Sequence, residues 1–178
     1  MPVIVVGGSG KDVGKTTLVC GVLAALPEFR WTAVKITSHD YGQAEPLVEE
    51  MAAGHETDTQ RFLGAGAARA FLISAGEDEL ARSVDALREC VGPEAALIFE
   101  SNRVIELIRP DICLVVVGSA GAIPKASFDA ITHRMDAKVV RADRDALIAD
   151  ATPEFQLADL GQLSQTMTAW VRERLQRD

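Results

Sequence analysis

Lys15, Thr16 and Glu100 are the residues of this chain whose types and settings could do chemistry together. Lys15 and Thr16 close the stretch Gly7-Gly8-Ser9-Gly10-Lys11-Asp12-Val13-Gly14-Lys15-Thr16-Thr17, which lies between an apolar run at 2–6 and a helical stretch at 15–26. A glycine-rich bend between strand and helix that ends in Gly-Lys-Thr is the pattern of a phosphate-binding loop, or P-loop. Its main-chain N–H groups line a concave nest, and the helix start behind them adds partial positive charge. In that geometry Gly8, Ser9, Gly10, Lys11, Asp12, Val13, Gly14 and Thr17 surround a polyphosphate. Lys15 reaches its outer phosphates, and the Thr16 hydroxyl holds Mg²⁺. The commonest form of the pattern has glycine where this chain has Ser9. Gly8 and Gly10 flank that position, so the loop reads as one residue longer and starts at Gly8.

A Mg²⁺ held largely by phosphates and water needs only one or two carboxylates. Glu100 is the first candidate, because it ends an apolar strand at 95–99. Asp40 is the second; it follows a β-branched strand at 31–36 and serves either the metal or the cap of a turn. The catalytic candidates are therefore Lys15, Glu100 and Asp40, and the metal candidates Thr16, Glu100 and Asp40. Lys35, inside that second strand next to the loop, either points to phosphate or snorkels from a sheet edge. His39 is a proton acceptor or a solvated loop residue, and Lys11 either adds charge to the nest or faces water. Base recognition falls to 118–120 or 142–143, where Asp143 either accepts from a guanine edge or caps a helix.

These residues need elements to position them, and strands and helices alternate along the chain. Strands are expected at 2–6, 31–36, 70–73, 95–99, 112–117 and 138–141, the last being the final strand. Helices are expected at 15–26, 58–64, 77–91, 104–108, 128–135 and 163–175. The long polar stretch 38–56 reads as a functional loop with a helical turn or two at 46–53. The apolar strand 112–117 is placed centrally. The pattern is that of an α/β fold, a P-loop NTPase with a mostly parallel sheet flanked by helices on both faces. Ligands bind such sheets at the carboxyl ends of the strands.

The 178 residues suffice for a single domain over 1–178, and an apolar content of 48% excludes a disordered chain. A net charge of −8 argues against nucleic acid as a partner, and the apolar runs are too short for a membrane span or a signal peptide. A cytoplasmic protein is expected. Cys20, Cys90 and Cys113 form no CxxC pair and read as buried free thiols; with His39, His55 and His133 they show no zinc spacing.

The chain resembles the SIMIBI class of P-loop proteins and, within it, the molybdopterin-guanine dinucleotide biosynthesis proteins of the MobB type. The resemblance rests on Gly8 to Leu18, on Val34-Lys35-Ile36 with His39-Asp40, on Asp58-Thr59-Gln60-Arg61-Phe62 with Ala65-Gly66-Ala67, and on Leu97-Ile98-Phe99-Glu100. It implies Mg²⁺-dependent binding and slow hydrolysis of a purine nucleoside triphosphate, GTP before ATP, in molybdenum-cofactor or related metal-cofactor assembly. It further implies a cofactor-assembly partner protein and a homodimer. The P-loop spacing, Lys35 and the acidic strand end are also similar to dethiobiotin synthetase, which implies an ATP-dependent ligase or kinase in which Lys35 binds substrate. A nucleotide-switched adaptor without catalysis is the third alternative. A nucleotide kinase needs an arginine lid, for which Arg134, Arg141 and Arg144 are a thin candidate.

Overall fold

The computed structural model describes residues 1–38, 45–118, 126–141, 151–158 and 161–176. In chain order its elements are β1 (Val3–Gly8), α1 (Lys15–Ala25), β2 (Thr32–Thr37), β3 (Leu47–Glu50), α2 (Asp58–Gly64), β4 (Arg69–Ser74), α3 (Glu77–Val91), β5 (Leu97–Glu100), β6 (Ile112–Val117), α4 (Ala126–Thr132), β7 (Ala137–Arg141), β8 (Glu154–Leu157) and α5 (Gln165–Leu175). One eight-stranded sheet runs in the order β3-β4-β2-β5-β1-β6-β7-β8. Every neighbouring pair is parallel except β3 with β4.

Alternation along the strands sends side chains into two cores. Ile4 and Val6 of β1 pack with Leu18, Val19, Val22 and Leu23 of α1, and Phe62 of α2 and Met167 and Val171 of α5 complete that face. Val5, between them, faces the opposite core with Leu80, Val84 and Leu87 of α3 and Phe128 and Ile131 of α4. Helices thus cover both faces, which is why β6 can be apolar at all six positions and buried throughout. It lies inside the sheet beside β1. α1 is apolar nearly all round because the sheet lies on one side and the segment at 161–163 on the other.

Several expectations need correction. Residues 46–53 hold no helical turn. β3 runs there instead, antiparallel to β4 from Leu47↔Ile73 to Glu50↔Ala70, because the exposed edge of β4 can be paired. Glu49 secures it by accepting from Nε and Nη2 of Arg69 at 2.7 and 2.8 Å. β7 is not the last strand, since β8 pairs with it and buries Leu157. β2 is an interior strand between β4 and β5, so Lys35 does not snorkel from a sheet edge. The expected helix at 104–108 is a short 3-10 turn, Arg103–Glu106. Of the three free cysteines only Cys113 is buried; Cys20 is half-buried and Cys90, at the end of α3, is exposed. No described helix is long and apolar enough to cross a membrane.

Candidate functional site

β1 delivers the chain to the carboxyl end of the sheet, where the loop is held on both sides before it turns. The Ser9 N–H donates to the Val116 carbonyl at 3.0 Å, and the Ser9 hydroxyl accepts from the Gly118 N–H at 2.8 Å. On the β5 side, Asn102 Oδ1 accepts from the Gly8 N–H at 2.8 Å and Asn102 Nδ2 donates to the Gly8 carbonyl at 2.9 Å. The chain then bulges into solvent at Lys11 and Asp12, the latter with φ 57°, and returns at Gly14 with φ 111°. Only glycine reaches that last conformation without strain. Gly14 opens α1 with no side-chain cap and no acidic residue in the first turn, so the helix start is left for an outside acceptor. The Lys15 ammonium folds back to the Gly10 carbonyl.

Glu100 lies at the end of β5 and is 2% exposed. Its Oε2 accepts from the Thr16 hydroxyl at 2.8 Å, and its Oε1 takes the Lys35 ammonium. Lys35 also meets Asp58 Oδ2 at 2.9 Å. Asp58 is the first residue of α2, whose cap Thr57 accepts from the Gln60 N–H at 3.1 Å. Arg61, one turn on, stands 3.6 Å from Asp58 Oδ1. Burial alone would raise the Asp58 carboxyl, but Lys35, the Thr16 hydroxyl and Arg61 together hold it below the usual aspartate value. Burial would likewise lower the Lys35 ammonium, and Glu100 and Asp58 overcome this and raise it. Two carboxylates, a hydroxyl and a lysine thus form one network facing the loop.

A cleft of about 520 Å³ opens over these groups. Of the residues expected from sequence, Gly8, Gly10, Lys11, Asp12, Gly14, Lys15, Thr16, Thr17, Lys35 and Glu100 line it. Ser9 and Val13 do not; both are buried beneath the loop. Asp40, His39, Ser119, Ala120, Asp143 and Arg144 lie outside the described residues. Arg141 ends β7 and lines the cleft, whereas Arg134 donates to the Ile105 carbonyl on the opposite face of the sheet. Asp58, Arg61 and Asn102 are cleft residues to which the sequence reading gave no role. The signal for Asp58 was its place at the first position of a helix capped by Thr57; that for Asn102 was its place two residues past Glu100. A second cavity of about 410 Å³, lined by Val3, Leu97, Phe99 and Ile108, lies at the amino ends of β1 and β5 and holds none of the expected site residues.

The donor set fits Mg²⁺. Thr16 and Glu100 offer hard oxygen atoms side by side, with Asp58 near. Among the described residues no three His, Cys, Asp or Glu side chains cluster as an all-protein metal cage. A Mg²⁺ shared with phosphates and water does not require one.

A mostly parallel sheet with a glycine loop between β1 and α1, and a carboxylate at the end of the adjacent strand, defines the P-loop NTPase fold. The chain matches no protein-family profile and no curated protein sequence. Its likeness is to solved structures. It is similar to a MobB homologue from Bacillus stearothermophilus, at 19% identity and TM-score 0.55 over 98% of both chains. It is similar to HypB from Helicobacter pylori, a complex with nickel, at 15% identity and TM-score 0.55 over 98% of this chain and 89% of that one. It also matches LpxK from Aquifex aeolicus, a complex with ATP, at 16% identity and TM-score 0.55. The chain spans about half the length of LpxK, 53%, with 88% of its own residues. The resemblance to MobB read from the four sequence segments thus has its counterpart in the fold.

Proposed function

We propose that this chain binds a purine nucleoside triphosphate with Mg²⁺ in the cleft and hydrolyses it slowly. The observation that carries the reading is the uncapped start of α1 beside the Thr16–Glu100 pair. The helix start offers N–H groups and partial positive charge to the phosphates. Lys15 leaves the Gly10 carbonyl for the outer phosphate oxygens, and Lys11 adds charge at the rim. Thr16 and Glu100 would hold the metal, with Asp58 as a further carboxylate beside them and Asp40 still the second candidate from the sequence. When bound, Mg²⁺ neutralises charge on the phosphate oxygens. The resemblance of the four sequence segments to MobB-type proteins implies GTP as the nucleotide and molybdenum-cofactor assembly, or a related metal-cofactor step, as the setting.

Titration calorimetry with GTP, ATP and their diphosphates, with and without Mg²⁺, tests this. Mg²⁺-dependent preference for GTP is the expected result, and Glu100→Gln should remove the Mg²⁺ dependence while leaving nucleotide binding. A preference for ATP favours the ligase or kinase reading. Failure of every nucleotide to bind overturns the proposal.

A further inference from the structure

The short segment Glu100-Ser101-Asn102 touches the loop at both of its ends. Glu100 takes the Thr16 hydroxyl at the α1 end, and Asn102 takes both main-chain groups of Gly8 at the β1 end. The second grip stands where a strand is missing. The β1–β5 register ends at Val6↔Glu100, with one more bond from the Ser101 N–H to the Val6 carbonyl at 3.1 Å. β1 continues to Gly8 and still pairs with Val116 of β6 on its other side. On the β5 side the Asn102 carboxamide takes over, one acceptor and one donor in the pattern a neighbouring strand would offer. The packing leaves room for it. A Cβ on Gly7 would stand 2.7 Å from Asn102 Oδ1 and 2.1 Å from Ile131 Cδ1, so glycine at that position admits both side chains.

We infer that Asn102 is a positioning residue for the phosphate site: it fixes the first residue of the loop relative to Glu100, and so sets the spacing between the loop and Thr16. It acts through Gly8. The Gly8 N–H is spent on Asn102, so the phosphate-facing part of the loop begins beyond it. The inference rests on the nucleotide reading for its main readout but not for its second.

The test compares Asn102→Ala and Asn102→Asp with the parent chain, using a non-hydrolysable triphosphate with Mg²⁺. Asn102→Ala is expected to bind ~10-fold more weakly, the scale of two lost hydrogen bonds at a preorganised site. In Asn102→Asp a carboxylate oxygen faces the Gly8 carbonyl at neutral pH, and binding is at least as weak. Binding by Asn102→Ala within ~2-fold of the parent, or by Asn102→Asp at the parent's level, overturns the inference. Amide hydrogen exchange without nucleotide is the second readout. Gly8 should be protected in the parent chain and should lose protection in Asn102→Ala, with faster exchange reaching Lys15 and Thr16. If the parent chain binds no nucleotide, the proposed function falls and the exchange pattern still decides the role of Asn102; unchanged exchange overturns it.

Discussion

Lys35 holds together two carboxylates, Glu100 buried and Asp58 34% exposed, that would otherwise face each other. Glu100 is 2% exposed and Lys35 21%, so the ammonium cannot be removed without leaving buried negative charge unpaired. Lys35→Met should therefore destabilise the nucleotide-free protein by about 3 kcal/mol in urea denaturation. The effect has a pH signature. Asp58 sits below its ordinary value of 3.8 when folded, so its contribution is present above that pH and is lost as pH falls through the lower folded value. Lys35 sits above its ordinary 10.5, so its contribution is complete below that pH and is lost as pH rises through the higher folded value. The stability difference between parent and Lys35→Met should form a plateau through neutral pH and close at both ends. A difference that is flat into strong acid would show that the Asp58 pairing adds nothing. At this scale the loop motif and strand ends in the sequence marked Lys15, Thr16, Lys35 and Glu100 as cleft residues, but not the ion pairs by which Lys35 joins Glu100 to Asp58. The sequence did not make the roles of Asp58 and Asn102 legible. The partner of Asp58 is 23 residues earlier in the chain and that of Asn102 is 94 residues earlier, and only the sheet order brings them together.

At the scale of elements, the carboxyl-terminal part of the chain reaches the phosphate site through helix α1. A Cβ on Gly21 would lie 2.2 Å from the Gly161 carbonyl oxygen and 3.1 Å from Leu163 Cδ2. Gly161, with φ 75°, has no room for a Cβ either, which would stand 2.8 Å from Thr17 Cγ2 and 3.0 Å from the Thr17 carbonyl. Two glycines thus let a backbone segment rest on the helix that begins the site. Gly21→Ala should cost about 1–3 kcal/mol despite the better helix propensity of alanine, because the obstacle is main chain and cannot rotate away. Thermal denaturation checks this; a stabilised Gly21→Ala would mean that the segment yields freely. The interior strands and the long helices were legible from their apolar runs and from the period of α3. The two edge strands were not. β3 is polar at Glu49 and Glu50 and depends on Arg69 and the bare edge of β4, and β8 buries only Leu157 fully. Four-residue edge strands carry too little pattern to be seen before their partners are known.

At the scale of the molecule, the question is whether two cores on opposite faces of one sheet melt together. The sequence suggests a single domain, and the central strands contribute to both sides: Val5 to one core, Ile4 and Val6 to the other. Both tryptophans report on the same face. Trp31, 1% exposed, belongs to the α1 core, and Trp170 packs against it while its ring meets Phe155 at 5.4 Å. Leu87 belongs to the α3 core on the other side and is fully buried. Leu87→Ala should cost about 2–5 kcal/mol by loss of burial and by the cavity it leaves. If the sheet couples the faces, that loss must appear at the tryptophans although neither touches the mutated core. The fluorescence midpoint in urea should then fall by the same amount as the midpoint followed by far-ultraviolet circular dichroism, with a single transition in each. A tryptophan midpoint that stays in place while the circular dichroism transition splits would divide the chain into two cooperative units, with the sheet as a seam between them.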